Sequence, residues 1–169
     1  LTTLNRPADH YGLSLILGGT EGTLWDIANA YAKLAHTVTD YTRDRAYYER
    51  ENFKVSVDHE PPDPKHQDTP LFNAGAAWLT LEALTNVNRP EELNWHFVPS
   101  VRKVAWKTGT SYGFRDGWAV GVTPKYLVAV WTGNANGEGR PGLTGARTSA
   151  RVMFDLFNLL PSTGWFDTP

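Results

Sequence analysis

Apolar residues at Leu24, Ile27, Ala28, Tyr31, Leu34 and Ala35 recur three and four positions apart behind Thr23. That spacing lays one stripe along a helix, and the threonine hydroxyl is suited to cap its first turn. The run 71–85 (LFNAGAAWLTLEALT) is helix-forming throughout, and its small residues predict close packing on a neighbour. Near the C-terminus Val152, Met153, Leu156, Phe157 and Leu160 mark a third amphipathic helix, which Pro161 ends. Between the second and third helices the period drops to that of strands. Residues 101–110, 117–122 and 126–133 read as three strands joined by the short turns 111–116 and 123–125, an antiparallel meander. Residues 41–68, charged and then proline-rich, read as an irregular surface excursion with one short strand at 53–57, and 11–22 (YGLSLILGGTEG) as an apolar run closed by glycines. Residues 134–145 read as a glycine-rich loop. The fold class is α+β.

Composition narrows the partners. The 169 residues are 41% hydrophobic and 20% charged, which suits one globular domain with a sizeable core. A net charge of -2 provides no electrostatic footprint for nucleic acid or an anionic membrane, so neither is expected as a partner. No apolar stretch approaches the length of a membrane span, and residues 1–10 lack the basic and apolar regions of a signal peptide. With no cysteine, disulfides, thiolate zinc sites and cysteine nucleophiles are excluded.

The chemistry concentrates in AWKTGTSYGFRDGW, residues 105–118. Gly109 is a poor residue for a strand interior and often marks where a ligand or another backbone must come close. Thr108 and Thr110 put hydroxyls on one face of the strand and Lys107 lies on the other. All can serve one cleft only if this strand is an edge, which would also offer free backbone groups to an extended peptide. The same residues would equally serve as a solvated edge that discourages sheet aggregation.

KTGTS followed by RDGWAVGVTPKYLVAVWTGN resembles the third signature and following strands of the penicillin-binding transpeptidases. The similarity extends upstream through YGLSLILGGTEGTLWDIANAYAKLA and downstream through LTGARTSARVMFDLFNLLP, most of the chain. It implies the C-terminal part of the β-lactamase/transpeptidase-like fold over 1–161, with 162–169 beginning a linker. By resemblance Lys107 lies beside a nucleophilic serine and supports proton transfer. Thr108 and Thr110 bind the carboxylate of the acyl-donor peptide or of a penicillin, with Gly109 giving room and Ser111 beside them on the same rim. The Thr110 N–H supplies half of an oxyanion hole. The implied activity is that of a serine D,D-transpeptidase at the extracytoplasmic face of a bacterial inner membrane, acting on D-Ala-D-Ala stem peptides and acylated by β-lactams, without cofactor or metal. A D,D-carboxypeptidase, a β-lactamase-like hydrolase and a noncatalytic binding module of the same shape are the alternatives.

Two departures from the family pattern carry expectations of their own. The family's nucleophile lies in an SxxK motif on the first turn of a helix, where positions three apart share a face. SVRK at 100–103 stands behind Pro99 and leads into a strand, so it is not that motif, and TLN at 3–5 only faintly resembles the family's SxN. The nucleophile is therefore expected upstream of residue 1, and the isolated chain is expected to be inactive. The family's sheet has two further strands, which cover the one matching 126–133. Without them that edge is expected to pair with a second copy or to be covered by rearranged segments. Elsewhere, Asp58–Asp68 holds two histidines without metal-ligand spacing. Arg115 and Asp116 read as turn-fixing. Trp25, Trp78, Trp106, Trp118 and Trp131 read as buried, leaving Trp95 and Trp165 the freer ones.

Overall fold

The computed structural model describes residues 1–44, 72–87 and 102–169. Among these residues four α-helices, α1 (Ala8–Tyr11), α2 (Leu24–Asp44), α3 (Ala74–Thr85) and α4 (Ser149–Leu159), accompany three strands, β1 (Ala105–Thr110), β2 (Asp116–Val122) and β3 (Leu127–Gly133). The strands form the expected antiparallel meander in the order β1-β2-β3, with Lys107 opposite Val120 and Trp118 opposite Trp131. The chain is α+β, as the hydrophobic pattern predicts.

The sheet lies between two helical layers. Ala105, Val120 and Val122 face α2 and α3, where they meet Val38, Ala77 and Leu81. Trp106 and Ala119 face the other way, onto Ala150, Met153 and Phe157 of α4. This double coverage explains why β2 is apolar at nearly every position instead of alternating. Gly121 is what allows α4 so close: a Cβ there would come 2.5 Å from the Phe157 ring and 2.9 Å from the Met153 sulfur.

The helices begin where the caps are. The Thr23 hydroxyl accepts from the Asp26 N–H at 3.0 Å, and Asn73 caps α3 by accepting from the Ala76 N–H at 2.7 Å. Helix α2 outruns the reading of 41–68 as irregular, continuing to Asp44. Its apolar stripe extends through the fully buried Val38, and the hydroxyls of Thr37, Thr39 and Thr42 bond back to carbonyls one turn earlier instead of breaking the ladder. The short strand expected at 53–57 lies outside the described residues, and the strand read at 101–110 begins, among the described residues, at Ala105, with 102–104 outside it.

Two apolar segments exchange the places their sequences suggest. The run at 11–22 forms a 3-10 turn over Gly12–Leu17, and Leu13, Ile16 and Leu17 are each more than four-fifths exposed. In the opposite sense, Phe166, within the stretch expected to begin a linker, is buried in the α2–α3 core with Trp165 against it. Thr163 and Trp165 are half-buried beside it, while Ser162, Gly164 and residues 167–169 are exposed. Glu82 anchors the arrangement: it pairs with Lys103 at 2.7 Å and accepts from the Trp165 indole N–H, while the Lys103 ammonium lies 4.4 Å from the Trp165 ring centroid. The tryptophans also divide differently. Trp106 is buried, but Trp25 is half-exposed at the start of α2, on the side away from its stripe, and Trp131 is exposed in β3.

Candidate functional site

β1 is an outer strand of the sheet, and among the described residues no strand pairs with its free edge. The hairpin register decides which backbone groups face that edge. Ser111 N–H donates to the Asp116 carbonyl at 3.0 Å, so Ser111 pairs inward; by alternation Gly109 and Lys107 also pair with β2. The N–H and C=O groups of Thr108 and Thr110 therefore point outward. They are the groups that an extended peptide laid along β1 would meet.

The side chains follow the alternation read from the sequence. Lys107 projects on the α2–α3 face, beyond the buried Ala105, and is exposed. Its ammonium reaches round the free edge to the Thr108 carbonyl at 2.6 Å. Thr108 and Thr110 lie on the α4 face, Thr108 half-buried and Thr110 exposed. The cationic and hydroxyl groups thus start from opposite faces and converge only at the rim. Position in an outer strand makes that possible.

Gly109 differs from the other sheet glycines. At Gly117, Gly121 and Gly133 a Cβ would collide with Thr132, Phe157 and Trp131 respectively, so the fold itself demands glycine there. At Gly109 the nearest atom to a Cβ would be Trp118 Cβ at 3.6 Å, an ordinary contact. Packing within the described residues leaves room for a methyl group at 109.

Ser111 and Asp116 fix the turn that follows. Asp116 N–H donates to Ser111 Oγ at 2.8 Å, and the Asp116 carboxylate accepts from the Trp131 indole N–H at 2.9 Å. Arg140 N–H donates to the Phe114 carbonyl at 3.0 Å, tying the 134–143 loop to the β1–β2 turn. The turn-fixing role read for Asp116 is what its bonds perform.

A contribution that the sequence reading missed comes from residues 144–149. Gly145 N–H donates to Thr110 Oγ1 at 3.1 Å across 35 positions. Gly145 lies so close to β1 and β2 that a Cβ would overlap the carbonyl oxygens of Gly109 and Trp118. Behind it Thr132 Oγ1 lies 2.8 Å from Thr148 Oγ1 and 2.9 Å from Ser149 Oγ. In the sequence LTGARTS shares the family resemblance and holds a glycine among hydroxyl residues, but nothing local connects it to KTGT.

Residues 102–103 have other duties. Arg102 donates to the Phe157 and Leu160 carbonyls at the end of α4, and Lys103 pairs with Glu82. Ser100, Trp95 and the Asp58–Asp68 stretch lie outside the described residues. Among the described residues no three histidines and carboxylates gather as a metal site, and no helix is long and apolar enough to cross a membrane.

No family model and no solved structure matches the chain. Over 150 residues, 89% of this chain and 17% of the relative, it is 35% identical to penicillin-binding protein 1C of Escherichia coli (strain K12). It is 30% identical over 94 residues, 56% of this chain and 11% of the relative, to penicillin-binding protein 1A of Clostridium botulinum. The same figures hold for that protein in a second strain of the species. The chain spans less than a fifth of the length of these curated relatives.

Proposed function

Because this chain belongs to the penicillin-binding protein family, we propose that it is the KTG-bearing part of a peptidoglycan D,D-transpeptidase. The nucleophilic serine is supplied from elsewhere in the longer protein. Its Oγ attacks the D-Ala-D-Ala carbonyl of a stem peptide, the terminal D-Ala leaves as the free amine carrying a proton, and the acyl ester passes to an amine of a neighbouring peptide. Lys107 assists proton transfer beside that serine. The outward N–H of Thr110 stabilises the developing oxyanion, an effect worth about 3 kcal/mol for one such donor. Thr108 and Thr110 hold the donor carboxylate, Gly109 admits the peptide, and Ser111 closes the rim through its bond to the Asp116 N–H. The site works at the outer face of the bacterial inner membrane.

The observation that carries this reading is the combination at β1: an outer strand, the backbone groups of Thr108 and Thr110 turned outward, and a glycine that the internal packing does not require. Glycine in a strand costs stability relative to alanine, so its place is accounted for by what approaches it. Hydrolysis by the same constellation differs only in the acceptor, and a binding module of this shape would dispense with the serine.

The test is covalent labelling by a fluorescent penicillin, applied to this chain, to the full-length protein and to full-length Lys107→Ala. Labelling of the full-length protein alone, abolished by the substitution, is the expected result. Labelling of this chain by itself would put a complete site within it, and absence of labelling throughout would favour the binding module.

The isolated chain is also proposed to form a homodimer through the outer edge of β3. LVAVWTG carries no charge or proline to guard that edge. Sedimentation of the isolated chain as a dimer that Trp131→Lys converts to a monomer is expected; a monomer at all concentrations rejects the pairing.

A further inference from the structure

Thr110 carries one hydroxyl proton and two lone pairs, and the fold assigns one of those lone pairs. Gly145 N–H, 3.1 Å from Thr110 Oγ1, is a donor that cannot rotate, so toward the protein the hydroxyl accepts. Its own proton is left to point away, on an exposed side chain at the rim of β1. A hydroxyl so arranged keeps one lone pair and offers its proton as a donor to whatever binds there, and that donor suits an anionic oxygen.

The height of Gly145 over the strand is itself fixed. The Thr144 carbonyl accepts from Arg147 N–H and Thr148 N–H, each at 3.0 Å, and from the Thr148 hydroxyl at 2.8 Å. The Gly145 carbonyl accepts from Ala150 N–H at 2.8 Å, binding the turn to the start of α4. Ser149, fully buried, donates to the Gly117 carbonyl at 2.7 Å, and Gly117 is the residue opposite Thr110 in the β1–β2 pair. With the Thr148 and Ser149 protons both committed to carbonyls, the single Thr132 proton is shared among Thr148 Oγ1 at 2.8 Å, Ser149 Oγ at 2.9 Å and the Gly117 carbonyl at 3.5 Å, one at a time. The network runs from Gly117 through three hydroxyls to the 144–148 turn and returns to Thr110.

We propose that the 144–148 turn is part of the substrate site, with Gly145 and Thr148 as positioning residues that polarise the Thr110 hydroxyl as a donor to the substrate carboxylate. The inference rests on the penicillin-reacting reading of this site and adds a second segment to it. Neither Gly145 nor Thr148 touches substrate; each acts through Thr110.

The experiment compares acylation of the full-length protein by a penicillin and by the same penicillin with its carboxylate methylated. Preference for the free acid is the readout, because a merely structural role would lower the melting temperature without changing that ratio. Thr148→Val is expected to reduce the preference by about tenfold, the scale of one hydrogen bond to a charged group. Thr148→Ser, which keeps the oxygen, is expected to restore it. Thr132→Val removes the hydroxyl that contacts both Thr148 and Ser149 from the opposite side of the network and is expected to act in the same direction, providing a second route should Thr148→Val fail to fold. An unchanged preference in the folded valine variants would overturn the inference while leaving the proposed function standing. A wild-type protein acylated by neither compound would overturn the proposed function itself, and this inference with it.

Discussion

Gly145 and Thr110, 35 positions apart, are joined by a hydrogen bond of 3.1 Å from the glycine N–H to the threonine hydroxyl. The contact exists because Gly145 has no side chain to hold it off the Gly109 and Trp118 carbonyls. Gly145→Ala is accordingly expected to destabilise the chain by about 2–3 kcal/mol, the cost of forcing extra volume into a packed site. Chemical denaturation measures it, and a loss below about 0.5 kcal/mol would show that the turn yields easily.

Gly109 and Gly121 should respond in opposite ways to the same methyl group. Gly121→Ala forces a Cβ to within 2.5 Å of Phe157 and 2.9 Å of Met153, for an expected loss of about 2 kcal/mol. Gly109→Ala meets nothing closer than 3.6 Å, so stability should hold or rise by about 0.5 kcal/mol. In the full-length protein that same Gly109→Ala should slow penicillin acylation by about tenfold or more, since a small displacement of bound substrate is costly. A Gly109→Ala protein that is stable and acylates normally would remove the case for close approach at this position.

Phe166 should behave as a core residue. Being 5% exposed among Val38, Ala77 and Leu81, its replacement by alanine is expected to cost about 3 kcal/mol. Glu82→Gln should cost less, about 1 kcal/mol or below, because the Lys103–Glu82 pair is partly solvated at 40% and 27% exposure. Thermal melts of the two variants, and of a chain ending at Thr163, rank them. Equal melting temperatures for the truncated and complete chains would mean that the tail contributes nothing.

The N-terminal segment should loosen in acid. The Thr2 hydroxyl, donating to Asp26 at 2.7 Å, holds that carboxyl below its ordinary value, helped by the Thr2 N–H at 3.1 Å. A carboxylate depressed in the folded state stabilises it above the unfolded pKa, near 4, and that contribution is lost as pH falls through the lower folded value. Titration followed at the Thr2 amide by NMR should show a midpoint below that of an ordinary aspartate, returning toward it in Thr2→Ala. An unchanged midpoint in that variant would assign the depression to another cause.

Much of the architecture was legible because it is local. The stripe from Leu24 to Ala35, the Thr23 cap and the three-strand meander follow from side-chain periodicity and turn residues, which act within a few positions. The KTGT cluster stood out by residue type, since a glycine and a row of polar side chains weaken the packing of a strand, but residue type alone suited a solvated edge and the resemblance was what marked it as a site. The extension of α2 to Asp44 was obscured by threonines and charges that suit an irregular segment until their hydroxyls bond the preceding turn. Leu13, Ile16 and Leu17 read as apolar and Trp165–Phe166 as a tail, yet the first group stands exposed and Phe166 is buried. Composition cannot say which apolar segment finds a surface.

By itself the sequence determined the α+β class, the order of helices and strands, and the placing of a lysine, two threonines and a glycine on one strand. Local sterics and period-two alternation suffice for those. Only the tertiary structure decided that this strand is an outer one, that Gly109 is spared by its neighbours while Gly121 is not, and that Gly145 returns from 35 positions away to orient Thr110. Those outcomes depend on which backbones come within a Cβ radius of each other, a distance set by the packing of both helical layers and encoded in no single stretch of the chain.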